Sequence, residues 1–165
     1  EYAQKHGLIP FTARSPNYSL AEQVADPWGP GCVAIGGPKE AEAREWYLQT
    51  QTPIFSYSSL GRGFFSGRIS RANFDETRKM LDKPSLTAYC HDQNFDRLDR
   101  VEVLAEEKGL SVAQVAMAFL MNQSLYVFPI VGVVNKKELE ENIVATKTKL
   151  TQEELDWLDL IRDDR

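Results

Sequence analysis

Apolar residues recur along this chain with two spacings, which together predict strands that alternate with helices. Three short apolar runs are typical of buried strands and lie at 8–13, 53–57 and 126–131. Apolar residues at helical spacing predict helices over 39–49, 97–108, 111–122, 136–146 and 151–161, and residues 1–7 have the pattern of a helix end. This alternation favours a parallel α/β sheet with right-handed crossovers.

Cap residues mark the ends of several predicted helices. Gly7 and Gly109 stand where a glycine C-cap ends a helix. The segments Ser111-Val-Ala-Gln114 and Thr151-Gln-Glu-Glu154 are capping boxes, in which a hydroxyl and the side chain three residues later satisfy the first backbone N–H groups. These signals predict helix ends at residues 7 and 109 and helix starts at 111 and 151.

Two stretches carry weaker patterns. Residues 26–38 are rich in Pro and Gly and predict a long loop with a short strand at 32–35. Residues 66–94 are polar and irregular, with a helix near 73–81. In the last long helix, over 136–146, we expect Leu139 and Ile143 to face inward.

The composition is that of a single globular domain. The chain has 165 residues, of which 42% are hydrophobic and 26% charged, and its net charge is −5. These proportions exclude a disordered chain, a collagen and a disulfide scaffold. The acidic balance argues against a nucleic-acid partner, and no apolar run approaches the length of a membrane span. Cys32 and Cys90 form no C-x-x-C pattern, so we expect a cytoplasmic protein.

The first residues and the small number of strands predict a fragment of a larger protein. The chain starts inside a helix, with no N-cap and no initiator Met before it. Three strands form a thin core for this length, and a parallel strand needs both faces and both edges covered. We therefore expect an incomplete sheet.

The two strand-to-helix turns carry the residues with chemical content. After the second strand, the segment from Tyr57 to Gly63 supplies an aromatic ring, hydroxyls and glycines that let backbone approach a ligand. After the third strand, Gly132 precedes Asn135, an expected N-cap, and we expect free N–H groups at the helix start behind it to suit a phosphate. Ligands of parallel α/β proteins bind at such turns. The same residues also fit ordinary loops, and the residues alone leave both alternatives open.

Four segments, in order, resemble the aldo-keto reductases. Residues 2–20 are similar to the end of the family's fifth helix and its sixth strand, and 53–67, with Tyr57-Ser-Ser-Leu-Gly-Arg-Gly63, to its seventh strand and loop. Pro129-Ile-Val-Gly132 with Glu138-Leu-Glu-Glu-Asn142 resembles the eighth strand and the adenine-binding helix, and 150–158 the C-terminal helix. The resemblance implies an α/β fold that is part of a (β/α)8 TIM barrel, with about strands six to eight and their helices.

The resemblance further implies a nicotinamide dinucleotide site, with NADP favoured over NAD. Tyr57 would stack on the nicotinamide, and Ser58, Leu60 and Arg62 would cover the pyrophosphate. Gly132 and Val133 would line the adenosine ribose or its 2′-phosphate, and Glu141 and Asn142 would hold the adenine. Three residues depart from the family pattern, namely Ser15, Ser59 and Val134. Lys136 and Lys137 are either surface lysines or cations that replace the polar residue missing at Val134.

The family's catalytic Tyr, Lys, Asp and His belong to the first half of the barrel, so the resemblance implies that this chain holds no catalytic residue. His6 and His91 do not replace that His, and we expect no metal site. Residues 1–165 would then be the C-terminal part of an NAD(P)-dependent oxidoreductase that reduces a small carbonyl substrate by hydride transfer. The N-terminal catalytic half would lie outside the chain.

Two other interpretations stay open at this point. One is a non-catalytic dinucleotide-binding or interaction module derived from the same barrel. In it a second copy of the chain replaces the missing half, with Trp28 and Trp46 at the interface. The other is a free-standing α/β domain with its own three-stranded sheet.

Overall fold

The computed structural model describes all residues from 1 to 165 and contains ten regular elements. They are helices α1 (Tyr2–Lys5), α2 (Ala41–Thr50), α3 (Phe74–Thr77), α4 (Lys83–Tyr89), α5 (Asp92–Lys108), α6 (Val112–Met121), α7 (Lys136–Lys147) and α8 (Gln152–Leu158), and strands β1 (Ile54–Ser56) and β2 (Val127–Pro129). Short 3-10 turns lie at Pro38–Glu40, Gly61–Gly63 and Arg78–Met80. None of the helices combines the length and the apolar character that crossing a membrane requires.

The predicted helix caps are confirmed. Both capping boxes form, since Ser111 Oγ accepts from the Gln114 N–H at 3.2 Å while Gln114 Oε1 accepts from the Ser111 N–H at 2.8 Å, and Thr151 and Glu154 repeat the pattern. Gly109 ends α5 in the left-handed conformation, with φ +64°. The helix at 97–108 begins earlier than predicted, at Asp92, and α4 was not predicted at all.

The sheet consists of two short parallel strands with two further segments beside them. Phe55 lies opposite Phe128, which sets the register of β1 and β2. On the other edge of β1 the chain pairs only at single bridges, from Arg14 to Ile54 and from Asn17 to Tyr57, and Asn17 also bridges to Ala34. The lateral order is therefore 33–35, 14–17, β1, β2, all parallel.

The prediction of a buried strand at 8–13 is wrong. Ile9 is 90% exposed and Phe11 is 99% exposed. Because β1 begins at Ile54, level with Arg14, the residues before Arg14 have no strand beside them. Pro10 also lacks the N–H that a strand would use. The predicted strand at 32–35 is reduced to one bridge, from Ala34 to Asn17.

The core lies between one face of this sheet and helices α5, α6 and α8. Ile54 and Ser56 point into it, and the predicted apolar residues Leu98, Val101 and Leu104 of α5 are at most 1% exposed. The predicted amphipathic character of α5 is therefore confirmed. The same helix also buries a charged residue, since Arg97 is 3% exposed and lies 3.2 Å from Asp159.

The opposite face of the sheet is bare. Phe55, Tyr126, Phe128 and Ile130 are all exposed there, and the rings of Phe55 and Phe128 stack at 5.2 Å. Parallel sheets bury both faces in folded proteins. One face of this sheet is therefore buried against the helices, and the other face is exposed.

Helix α7 does not bury the residues expected to face inward. Leu139 is 45% exposed and Ile143 is 47% exposed, so that expectation is wrong. They lie four residues apart on one side of the helix. The helix packs on α6, but its one fully buried residue is Ala145.

Candidate functional site

The carboxyl ends of β1 and β2 open onto a shared groove of ≈ 980 Å³. Both predicted turns line it, as expected for neighbouring parallel strands. Seven of the eight predicted cofactor residues border this groove, namely Tyr57, Ser58, Leu60, Arg62, Gly132, Glu141 and Asn142. Val133 does not line it and is 39% exposed.

Tyr57 presents a neutral aromatic ring at the end of β1. It follows Phe55 by two residues and so lies on the bare side of the sheet. Its backbone carbonyl accepts a hydrogen bond from Asn17 Nδ2 at 3.2 Å. Partial burial raises the pKa of the Tyr57 hydroxyl, and the neighbouring Cys32 thiol raises it further. The hydroxyl therefore stays protonated at neutral pH, and the side chain carries no charge.

The turn after Tyr57 is held in an unusual backbone conformation. Ser58 has φ +53° and Arg62 has φ +54°, in the left-handed region that non-glycine residues seldom occupy. Gly61 also lies there, and a Cβ on it would come within 3.1 Å of the Ala21 Cβ. The backbone of this turn, which lines the groove, is therefore strained.

Ser59, a departure from the family pattern, joins the two turns. Its side chain is buried, and its Oγ lies 3.1 Å from the Ser56 carbonyl and 3.3 Å from the Ile130 carbonyl. The hydroxyl can donate to either oxygen, one on the last residue of β1 and the other on the residue after β2. Ser15, another departure from the family pattern, donates from Oγ to the Phe55 carbonyl at 2.7 Å.

Arg62 lines the groove, but its guanidinium is already engaged. Nε donates to Ser85 Oγ at 2.8 Å, and Nη2 donates to Asp82 Oδ2 at 2.6 Å. The guanidinium also lies 4.1 Å from the centre of the Trp28 ring. Hydrogen bonds from Ser85, followed by the Arg62 charge, lower the pKa of Asp82. Arg62 therefore ties the turn to α4, a role that its sequence neighbours do not signal.

Arg68 is the uncommitted cation of the groove. Its side chain forms no ion pair and no hydrogen bond, and the residue is exposed. Lys137, the other lysine or arginine on the lining besides Arg62, lies 3.8 Å from the Glu141 carboxylate. Arg68, which follows the turn after β1, is therefore the one cation of the lining without a charged partner.

The turn after β2 combines an open position with a helix start that is already capped. A Cβ on Gly132 would meet no atom within 4 Å, so the groove is open beside it. Asn135 is the N-cap of α7, as predicted, because its Oδ1 accepts from the Glu138 N–H at 3.0 Å. Glu138 Oε2 accepts in turn from the Val134 N–H, also at 3.0 Å. The N–H groups of Val134 and Glu138 are therefore occupied, whereas those of Lys136 and Lys137 at the start of α7 have no partner, as expected from the sequence.

The two histidines and Cys90 form no reactive arrangement. His91 Nε2 lies 3.2 Å from the Glu22 carbonyl, and the His6 ring packs on Tyr2. Burial raises the pKa of the Cys90 thiol to about 11, which keeps it in the unreactive protonated form. No three His, Cys, Asp or Glu side chains gather as metal ligands would.

Comparison with known proteins gives one consistent result. A sequence model of the aldo/keto reductase family matches residues 1–163. The Glycine max protein named "Probable aldo-keto reductase 1" is 35% identical over 151 residues, which is 91% of this chain and 39% of that protein. The "Versiconal hemiacetal acetate reductase" of Aspergillus parasiticus is 42% identical over 126 residues, or 76% of this chain and 36% of that protein.

The fold is similar as well. The crystal structure of a thermostable aldo-keto reductase in complex with the inhibitor epalrestat superposes with a TM-score of 0.55, at 18% identity, over 93% of this chain and 40% of that one. The chain therefore spans about two fifths of the length of the relatives that it matches.

Proposed function

Since this chain belongs to the aldo/keto reductase family, we propose that it is the cofactor-binding C-terminal part of an NAD(P)-dependent oxidoreductase. In this proposal the whole protein reduces a small carbonyl compound to an alcohol. The bound cofactor would supply the hydride, and the residues of this chain would bind and orient it. The observation that carries the proposal is the groove that both strand-to-helix turns form together.

The groove fits a nicotinamide dinucleotide in size and in chemistry. A volume of ≈ 980 Å³ lies at the upper end of the range that small-molecule and cofactor sites occupy. The neutral Tyr57 ring offers a flat face for the nicotinamide. Ser58 and Leu60 border the stretch beside it, where the uncommitted Arg68 would approach the pyrophosphate.

At the other end, the turn after β2 would hold the adenosine. The open space beside Gly132 gives room for the ribose. Asn142 and Glu141 line the groove from α7, and both offer hydrogen-bonding groups of the kind that an adenine amino group and ring nitrogens need. Val133 would contact the ribose through its backbone alone, because its side chain does not line the groove. Arg62 would act indirectly, by holding the turn in place.

The proton donor of the reaction would come from polypeptide outside residues 1–165. The bare aromatic face with Phe55 and Phe128 supports this proposal, because it has the character of a barrel interior that other strands would close. In that arrangement Tyr57 lies on the inner side of the barrel, near the mouth where the carbonyl substrate would enter. Both cysteines are free thiols, which favours a reducing compartment such as the cytoplasm.

A second candidate is a non-catalytic binding or interaction module of the same origin. The same bare face favours it, because a second copy of the chain would also bury those aromatic rings. The two candidates differ in mass and in activity. If residues 1–165 form a dimer and the complete protein shows no NAD(P)H-dependent turnover, the module is supported and the enzyme is excluded.

Hydrogen exchange of the full-length protein tests the site. Saturating NADH or NADPH should slow amide exchange at 57–63 and 132–142, while α8, which lies outside the groove, serves as the internal control. Unchanged exchange at both turns would remove the site. The isolated chain should show no turnover of any aldehyde, and turnover above a buffer control would refute the assignment of the proton donor to other residues.

A further inference from the structure

We propose that this groove selects NAD over its 2′-phosphorylated form, NADP, and that Glu138 determines the choice. The inference rests on the dinucleotide site proposed above and departs from the preference that the family resemblance implies. Its basis is the charge distribution along the groove. The lining next to β1 carries Arg62 and Arg68, whereas the lining next to β2 carries one cation, Lys137, and the carboxylates of Glu138 and Glu141.

A phosphate monoester is dianionic or nearly so at neutral pH, and proteins hold it with cations or free N–H groups. On the β2 side the carboxylates outnumber the cations, since residues 134–142 carry two lysines and three glutamates. Lys137 lies 3.8 Å from Glu141, and Lys136, which does not line the groove, lies 3.3 Å from Glu140. The N–H groups of Val134 and Glu138 are already bonded to Glu138 and Asn135, and the two that remain, of Lys136 and Lys137, begin a helix whose Glu138 and Glu141 line the groove. Arg68, on the β1 side, would serve the diphosphate that both cofactors share.

The same residues suit an unphosphorylated ribose. A carboxylate has about four acceptor positions on its two oxygens, and Glu138 uses them for the Val134 N–H and for Asn135 Nδ2 at 3.3 Å. Positions remain for the ribose hydroxyl, and a carboxylate that accepts from the 2′-hydroxyl is a general means of binding NAD. A 2′-phosphate at that place would meet like charge. Val134, with an apolar side chain that is 85% exposed, offers no compensating donor.

Isothermal titration of the full-length protein with NAD⁺ and NADP⁺ tests the inference. We expect NAD⁺ to bind at least about tenfold more tightly, the ratio that about 1.4 kcal/mol produces. Equal or tighter binding of NADP⁺ would overturn the inference while leaving the dinucleotide site in place. If neither cofactor binds, the proposed function itself fails.

A charge-removing substitution tests the role of Glu138. Glu138→Gln keeps an acceptor oxygen and the length of the side chain, so the turn should fold as before, which a melting curve checks. We expect the NADP⁺ affinity to rise about tenfold and the NAD⁺ affinity to change less than about threefold. Glu106→Gln makes the same change of charge on the exposed face of α5, outside the groove, and should leave the ratio unaltered. An unchanged ratio in Glu138→Gln, or an equal shift in Glu106→Gln, would overturn the role of Glu138.

Discussion

Replacing Arg62 tests whether this residue binds the cofactor directly or holds the turn that does. The sequence resemblance places its side chain over the pyrophosphate, whereas in the structure the guanidinium contacts Ser85, Asp82 and Trp28. Arg62→Ala removes all three contacts and keeps the strained backbone, and Arg62→Gly removes the contacts and also relieves the strain. The pair of variants therefore separates the side-chain contribution from the backbone contribution.

The magnitudes follow from the contacts. The hydrogen bond from the charged guanidinium to Ser85 contributes about 1.5 kcal/mol, at the low end for charged groups because the site is partly exposed, and the Trp28 stacking contributes about 0.5–1 kcal/mol. We expect Arg62→Ala to lower the free energy of unfolding by about 2 kcal/mol. Because Arg62 has φ +54°, Arg62→Gly should recover about 1 kcal/mol of that loss.

Urea unfolding of the full-length protein gives both values, provided that the transition is two-state. Cofactor titration of the same variants gives their affinities. Weaker binding should accompany the loss of stability in Arg62→Ala and should be partly restored in Arg62→Gly. If both variants bind cofactor much more weakly but unfold like the wild type, Arg62 contacts the cofactor directly and the structural argument is refuted.

Three further predictions concern the groove, the core and the effect of pH. Gly132→Ala should weaken cofactor binding with little change in melting temperature, because the added methyl points into open groove space rather than into packed atoms; a lower melting temperature would contradict this. Arg97→Met should lower the free energy of unfolding by about 3–5 kcal/mol in urea titration, because it leaves the buried Glu22 and the partly buried Asp159 carboxylates without their cation; a loss below about 1 kcal/mol would contradict this. Burial raises the pKa of Tyr89 to about 12, whereas unfolded tyrosine titrates near about 10. The folded state therefore favours the protonated hydroxyl, so stability should fall as pH rises from about 10 to about 12, and Tyr89→Phe should make that fall shallower; an identical slope in the variant would refute the assignment.

Features that depend on a few consecutive residues could be predicted from the sequence. The capping boxes at Ser111 and Thr151 and the C-cap at Gly109 involve partners within about one turn of the chain, and all three are confirmed. The family resemblance was also accessible, because its motifs are contiguous. From the order of strands and turns it followed that Tyr57 and Gly132 would border one groove, since parallel strands end at the same edge.

Features that depend on distant partners could not be predicted. The apolar run at 8–13 has the composition of a buried strand, but burial requires a neighbour, and the chain places none beside Phe11. Likewise Leu139 has helical spacing, yet α7 turns it toward the surface. Apolar character favours burial only where another element is present to cover it.

By itself, the sequence of this protein determined its family, its alternating elements and the two turns that carry the candidate site. Only the tertiary structure decided how the charged groups of that site are used. Arg62 is engaged by Asp82 and Trp28, which lie 20 and 34 residues away along the chain, and the Glu138 carboxylate accepts from the Val134 N–H just before α7. The physical reason is that a charge acts through the atoms within a few ångströms of it, and folding alone determines which atoms those are.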